Sequence, residues 1–183
     1  VHTAWDLGIS DNMCIWLLQS FGKELRLIDY YENSGKGMEH YIQWLNNYAT
    51  KHWVMFGTHL APHDIEVREL TTGRSRKETA RDMGLTFRTV QRPAKKAEGI
   101  QATRRIFPRL WIDEDRCEHG LNCLGSYHRE WDAKHNCFRD NPVHDWASHG
   151  ADALQTLALG WTETMAAGIR PKVHQAKLAV NVW

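Results

Sequence analysis

Three short apolar runs, separated by nothing longer than a turn, constrain this chain most. HTAWDLG, CIWLLQSFG and ELRLIDYYE are rich in aromatic and β-forming residues and meet at Ser10-Asp11-Asn12 and Gly22-Lys23. Connections that short impose antiparallel pairing on successive strands. After Asn33-Ser34-Gly35 the pattern changes period. MEHYIQWLNNYATKH sets Met38, Tyr41, Ile42, Leu45 and Tyr48 at helical spacing, and the apolar run WVMFGTH follows as a fourth strand. A strand, a crossover helix and a new strand make a parallel addition to a sheet, so the expected sheet is mixed.

Residues 65–79 alternate charged and apolar positions around Thr72-Gly73, as a hairpin or exposed loop does. A short helix over Lys77 to Met83, a strand over Thr86 to Val90 and a helix over Lys95 to Phe107 come next. Residues Ile112 to Tyr127 read as another helix with Cys117, Leu121 and Leu124 inward, and Asp132 to Val143 as a polar loop. The last helix begins near Trp146, where Ala147, Ala151, Leu154, Leu157, Ala158 and Trp161 recur at helical spacing. Meandering strands, helix, strand, helix, strand and then helices is the order of a ribonuclease H-like α/β domain. The expected organisation is one domain over residues 1–168 with a loosely attached tail over 169–183.

Composition narrows the class. At 42% hydrophobic and 25% charged residues the 183-residue chain is an ordinary globular one, and no apolar run approaches the ~20 residues of a membrane span. With no signal-peptide pattern at its start, an intracellular place is expected. A strand that begins straight after Val1 leads to the expectation that a further segment precedes it. The net charge of +1 predicts no nucleic-acid binding by itself, so the distribution of charge carries that question. Cys14, Cys117, Cys123 and Cys137 lack the spacing of a disulfide framework, and reduced thiols are expected.

Three acids stand out, far apart in sequence. Asp6 closes the first strand, Asp64 follows the fourth, and Asp152 sits among Ala151, Ala153 and Leu154 on the last helix. If the first and fourth strands are neighbours and the last helix crosses their ends, these carboxylates converge where α/β sheets usually carry their chemistry. Converging carboxylates with no Lys or Arg between them call for a hard divalent cation, Mg²⁺ or Mn²⁺. Two such ions suit phosphodiester hydrolysis. A single Asp at a strand end is more often a turn or capping residue, and the plainer reading of Asp152 is an acid paired with an Arg from another element. The pattern of three in order is what favours ligation.

Four stretches, AWDLGISD, APHDIEVRELTTGRSRKETARDMG, EGIQATRRIFPRLWID and NPVHDWASHGADALQTLALG, together resemble the C-terminal nuclease domain of tailed-bacteriophage terminase large subunits over roughly residues 1–162. The resemblance implies that Asp6, Asp64 and Asp152 bind two Mg²⁺ or Mn²⁺ ions and cut double-stranded concatemeric DNA with little sequence preference. It also implies an N-terminal ATPase motor in the same full-length chain, a portal protein and small terminase subunit as partners, no membrane, and a place in the host cytoplasm at the portal vertex. No GxxxxGK[ST] loop occurs, since Gly35-Lys36-Gly37 has the wrong pattern, so ATP hydrolysis is not expected of this stretch.

Further residues are weighed beside the triad. Asp11 is either a fourth ligand or part of a Ser-Asp-Asn turn, the turn being favoured. Asp145 suits a helix cap. His149 either bonds a metal-held water or the scissile phosphate, or is a satisfied structural histidine; His59 and His63 are at most outer partners of the metal. Arg68, Arg74, Arg76, Lys77 and Arg81 cluster around the Gly73 turn as a DNA-contacting loop, against the plainer reading of a solvated face interleaved with Glu66, Glu69, Glu78 and Asp82. Arg88, Arg92, Lys95, Lys96, Arg104 and Arg105 continue the basic excess. Cys117, His119, Cys123, His128 and Cys137 lack the close pairs of common zinc sites, and no metal is assigned there. The rivals are a Holliday-junction resolvase of the RuvC type and a non-catalytic portal or capsid docking domain.

Overall fold

A computed structural model describes residues 1–8, 12–70, 73–162 and 165. The expected tail over 169–183, Thr72 and Asp11 lie outside the described residues. Six strands form one sheet in the order β5-β4-β1-β2-β3-β6. They are β1 (His2–Asp6), β2 (Met13–Phe21), β3 (Glu24–Asn33), β4 (His59–Pro62), β5 (Phe87–Val90) and β6 (Leu110–Ile112). β1, β2 and β3 pair antiparallel, while β4 joins β1, β5 joins β4 and β6 joins β3 in parallel. The sheet is the mixed one expected.

Strand alternation divides the core in two. Ala4, Cys14, Trp16 and Leu18 face one side, with Ile106, Ala153, Leu154 and Leu157. Trp5, Met13, Ile15 and Leu17 face the other, with Tyr41, Ile42, Leu45 and Tyr48 of α1 (Met38–His52) and Ala80 of α2 (Arg76–Asp82). Both faces are therefore covered, which is why β2 reads as a continuous apolar run. α3 (Lys96–Ile106), α4 (Glu118–Ser126) and α5 (Trp146–Gly160) belong to the first side. Most of α5 is buried, and its many small residues allow close approach. Gly150 shows the limit: a Cβ there would stand 2.8 Å from Cys123 Cβ, so α4 and α5 touch almost backbone to side chain.

The structure corrects several boundaries. WVMFGTH is not a strand until its last residue. Trp53 ends α1 in the left-handed region (φ 53°) and is exposed, as is Met55, and the chain first pairs regularly at His59. Residues 53–58 return from the end of α1 and meet the start of β1 through bonds such as Gly57 N–H to Val1 O, 2.7 Å. β6 was not expected, because three residues carry no readable period. α4 is shorter than the expected helix over 112–127, since turns occupy the chain before it. The polar loop holds a small hairpin, β7 (Trp131–Asp132) with β8 (Cys137–Phe138). Arg68 bridges Ser75 across the Gly73 turn, and a capping box between Ser75 and Glu78 starts α2.

Candidate metal centre

Parallel pairing of β1 and β4 brings their carboxyl ends to one edge of the sheet. Asp6 is the last residue of β1 and faces the α5 side, two positions after Ala4. Asp64 lies in the 3-10 turn His63–Glu66 that follows β4. α5 packs across β1, β2 and β4 and carries Asp152 two turns from its start. The three carboxylates line one cleft of about 910 Å³, together with His63, Arg92, Lys95, Lys96, Arg129 and Gln155.

Burial pushes the Asp6 carboxyl above its ordinary range. The His149 bond opposes this, and the charges of Asp152 and Asp64 add to it. His149 is buried, with Nδ1 3.2 Å from Asp6 Oδ2, so it holds that carboxylate in place from α5. Asp64 Oδ1 is buried with no hydrogen-bond partner among the described residues. A buried carboxylate oxygen left unpaired beside two other acids fits the oxygen-ligand preference of Mg²⁺ or Mn²⁺.

The structure departs from the sequence reading at Asp152. Lys96, at the start of α3, places its ammonium 2.6 Å from Asp152 Oδ1, and Gln155 Nε2 donates to the same oxygen at 2.9 Å. The expectation that no Lys or Arg stands among the acids is thus overturned. Its source is residue 96, remote in sequence but next to α5 because α3 packs on that helix.

Other expected residues are placed less centrally. Asp145 accepts from Ala147 N–H at 2.9 Å as the cap of α5 and does not line the cleft. His59 is buried within the sheet, bonded to Thr3 Oγ1 at 2.7 Å, and burial pulls its pKa down to about 4, so it is a neutral structural histidine. His63 is exposed on the cleft lining. Arg68, Arg74, Arg76, Lys77 and Arg81 are absent from that lining. Arg74 pairs with Asp82, Lys77 with Glu66 at 2.7 Å, and Arg76 with Glu69 at 3.8 Å, the pattern of a solvated face. The cations that line the cleft with the acids, among the described residues, are Arg92, Lys95, Lys96 and Arg129. The first three follow β5 in the run Arg92-Pro93-Ala94-Lys95-Lys96, and a basic loop at the carboxyl end of a parallel strand was the signal available.

No protein-family model matches the sequence, and no curated protein does. Comparison of folds is informative. The large terminase of the thermophilic bacteriophage D6E superposes with a TM-score of 0.65 at 16% identity, over 86% of this chain and 38% of that one. The nuclease domain of the P22 large terminase gives 0.60 at 18% identity, over 86% of this chain and 78% of that domain. The chain has the fold of a large-terminase nuclease domain. That of bacteriophage SPP1, solved with bound Mn, gives 0.53 at 12% identity, over 84% and 82%. This terminase nuclease fold is ribonuclease H-like, and the chain spans about two fifths of the D6E protein's length.

Proposed function

We propose that the chain is a metal-dependent endonuclease that cuts double-stranded viral DNA during genome packaging, with Asp6, Asp64 and Asp152 holding two Mg²⁺ or Mn²⁺ ions. The observation that carries this reading is the meeting of three carboxylates, one with an unpaired buried oxygen, in one cleft of a terminase nuclease fold. The bound Mn of the SPP1 domain supports the choice of ion. When bound, such ions supply Lewis acidity toward the phosphodiester and a water of lowered pKa.

The chain's own residues do the rest. His149 orients Asp6. Lys96 neutralises Asp152 in the absence of other cations, which reduces repulsion among the acids. Arg92, Lys95 and Arg129 present positive charge on the cleft wall, where phosphates are positioned without reading of sequence. Little sequence preference accords with a wall of charge. An ATPase motor in the full-length protein, portal and small-subunit partners, and action in the host cytoplasm at the portal vertex complete the reading. Residues 1–168 are proposed as the nuclease domain.

Cleavage of supercoiled plasmid in Mg²⁺, in Mn²⁺ and in EDTA tests it, with Asp6→Ala, Asp64→Ala and Asp152→Ala alongside and a four-way junction as a second substrate. Metal-dependent nicking and linearisation, lost in each variant while circular dichroism shows an intact fold, is the expected result. Cleavage that is indifferent to the three substitutions, or confined to the junction, overturns it.

A further inference from the structure

A second cluster of ligating side chains lies on the same row of the sheet. Asp6 pairs with Cys14 across β1 and β2, and Cys14 pairs with Glu32 across β2 and β3. Directly opposed residues share a face, so Glu32 lies about 10 Å from Asp6, two strand spacings along the row. α4 supplies His119 and Cys123, four residues apart and hence on one side of the helix. The ligating atoms of Glu32, His119 and Cys123 all lie within 4.8 Å of one another.

We infer that Glu32, His119 and Cys123 form a binding site for a borderline-soft divalent cation, zinc by preference, that fastens α4 to β3. The spacing suits the ion: two ligands ~2.0–2.1 Å from a tetrahedral Zn²⁺ stand about 3.3 Å apart. His119 Nε2 stands 3.3 Å from Glu32 Oε2. The donor set is one nitrogen, one sulfur and one oxygen, unlike the three carboxylates of the cleft, so ligand chemistry separates the two sites.

The surroundings hold the ligands ready. The Glu32 side chain is only 9% exposed, and the ion pair the structure gives it is with His119. Asn12 donates to Oε1, while Tyr30 Oη and, at 3.3 Å, Cys14 Sγ donate to Oε2. Outer bonds of this kind fix the direction of a ligating carboxylate. Cys123 is buried under α5, whereas the His119 side chain is 56% exposed, so an ion can enter from solvent and keep a water as its fourth ligand. Sequence spacing alone hid the site, where no metal was assigned, because its carboxylate comes from β3 and its ligands do not include Cys117, His128 or Cys137.

The test uses the chain carrying Asp64→Asn and Asp152→Asn, so that the acidic cleft does not compete for metal. Titration with Co²⁺ is expected to give a thiolate-to-cobalt charge-transfer band saturating near one equivalent and displaced by Zn²⁺. Cys123→Ser removes the band. His119→Gln, at an exposed position, keeps the fold and weakens Co²⁺ binding at least about ten-fold, the loss that removal of even an outer partner brings. Absence of the band in the parent chain overturns the inference. So does a band that survives both substitutions, since another thiol then holds the ion. Should Cys123→Ser fail to fold, the His119→Gln titration decides alone.

Discussion

Asp6 carries opposing demands at the level of one side chain. Its burial raises the pKa, so its carboxyl binds its proton more tightly in the folded chain than in the unfolded one. The sign follows from linkage: this group's contribution to stability is fully present below the ordinary carboxylate value and is lost as pH rises through the raised folded value. At neutral pH and without metal, the ionised group is a net cost. Asp6→Asn should therefore raise the melting temperature in EDTA at neutral pH, and the gain should vanish as pH falls below the ordinary carboxylate range. Thermal melts across pH measure this, and an equal gain at every pH would mean that packing, not charge, is responsible.

Lys96 acts at the same scale. A partly exposed ion pair is worth ~0.5–1 kcal/mol, and the ammonium occupies one of the oxygens a metal would use. Lys96→Met should tighten Mn²⁺ binding by about two- to five-fold, read by calorimetry. Weaker binding in that variant would show that the lysine supports the ion instead of competing with it.

Among the elements, α4 is the one whose seating depends most on small residues. A Cβ at Gly120 would stand 2.3 Å from Cη2 of Trp16, a fully buried ring whose Nε1 donates to Gly150 O at 2.8 Å. The ring cannot move without breaking that bond to α5. Gly120→Ala should lower unfolding free energy by about 1–3 kcal/mol or more in urea titrations, despite the better helix propensity of alanine. The same scale explains which elements were legible. α1 was readable because its apolar face repeats over about three turns, and β2 because both its faces are buried. The strand expected over WVMFGTH was wrong because apolar composition says nothing of regular strand pairing, and that begins only at His59.

The whole molecule sets how DNA is expected to meet the acids. Positive charge sits on the cleft wall at Arg92, Lys95 and Arg129, whereas Arg74, Arg76 and Lys77 around the Gly73 turn pair with neighbouring acids. Each phosphate contact contributes ~0.9 to the slope of log affinity against log salt. Arg92→Ala with Lys95→Ala should flatten that slope by about 2 for duplex binding in Ca²⁺ or EDTA. Arg74→Ala with Arg76→Ala should change it by much less. The reverse order would restore the turn as the DNA-contacting loop.

The sequence by itself determined the meander, the crossover helix, the buried last helix and the three acids, at the end of β1, just after β4 and midway along α5. Each of these is written in local terms: apolar period, turn residues, and a charged residue where a strand or helix passes into the cleft. Tertiary structure alone decided what stands beside those acids. Lys96 reaches Asp152 because α3 packs on α5, His149 meets Asp6 across 143 positions, and Glu32 meets His119 and Cys123 because α4 packs against β3. Partners of this kind are set by how elements cross, and no pattern within any one element encodes them.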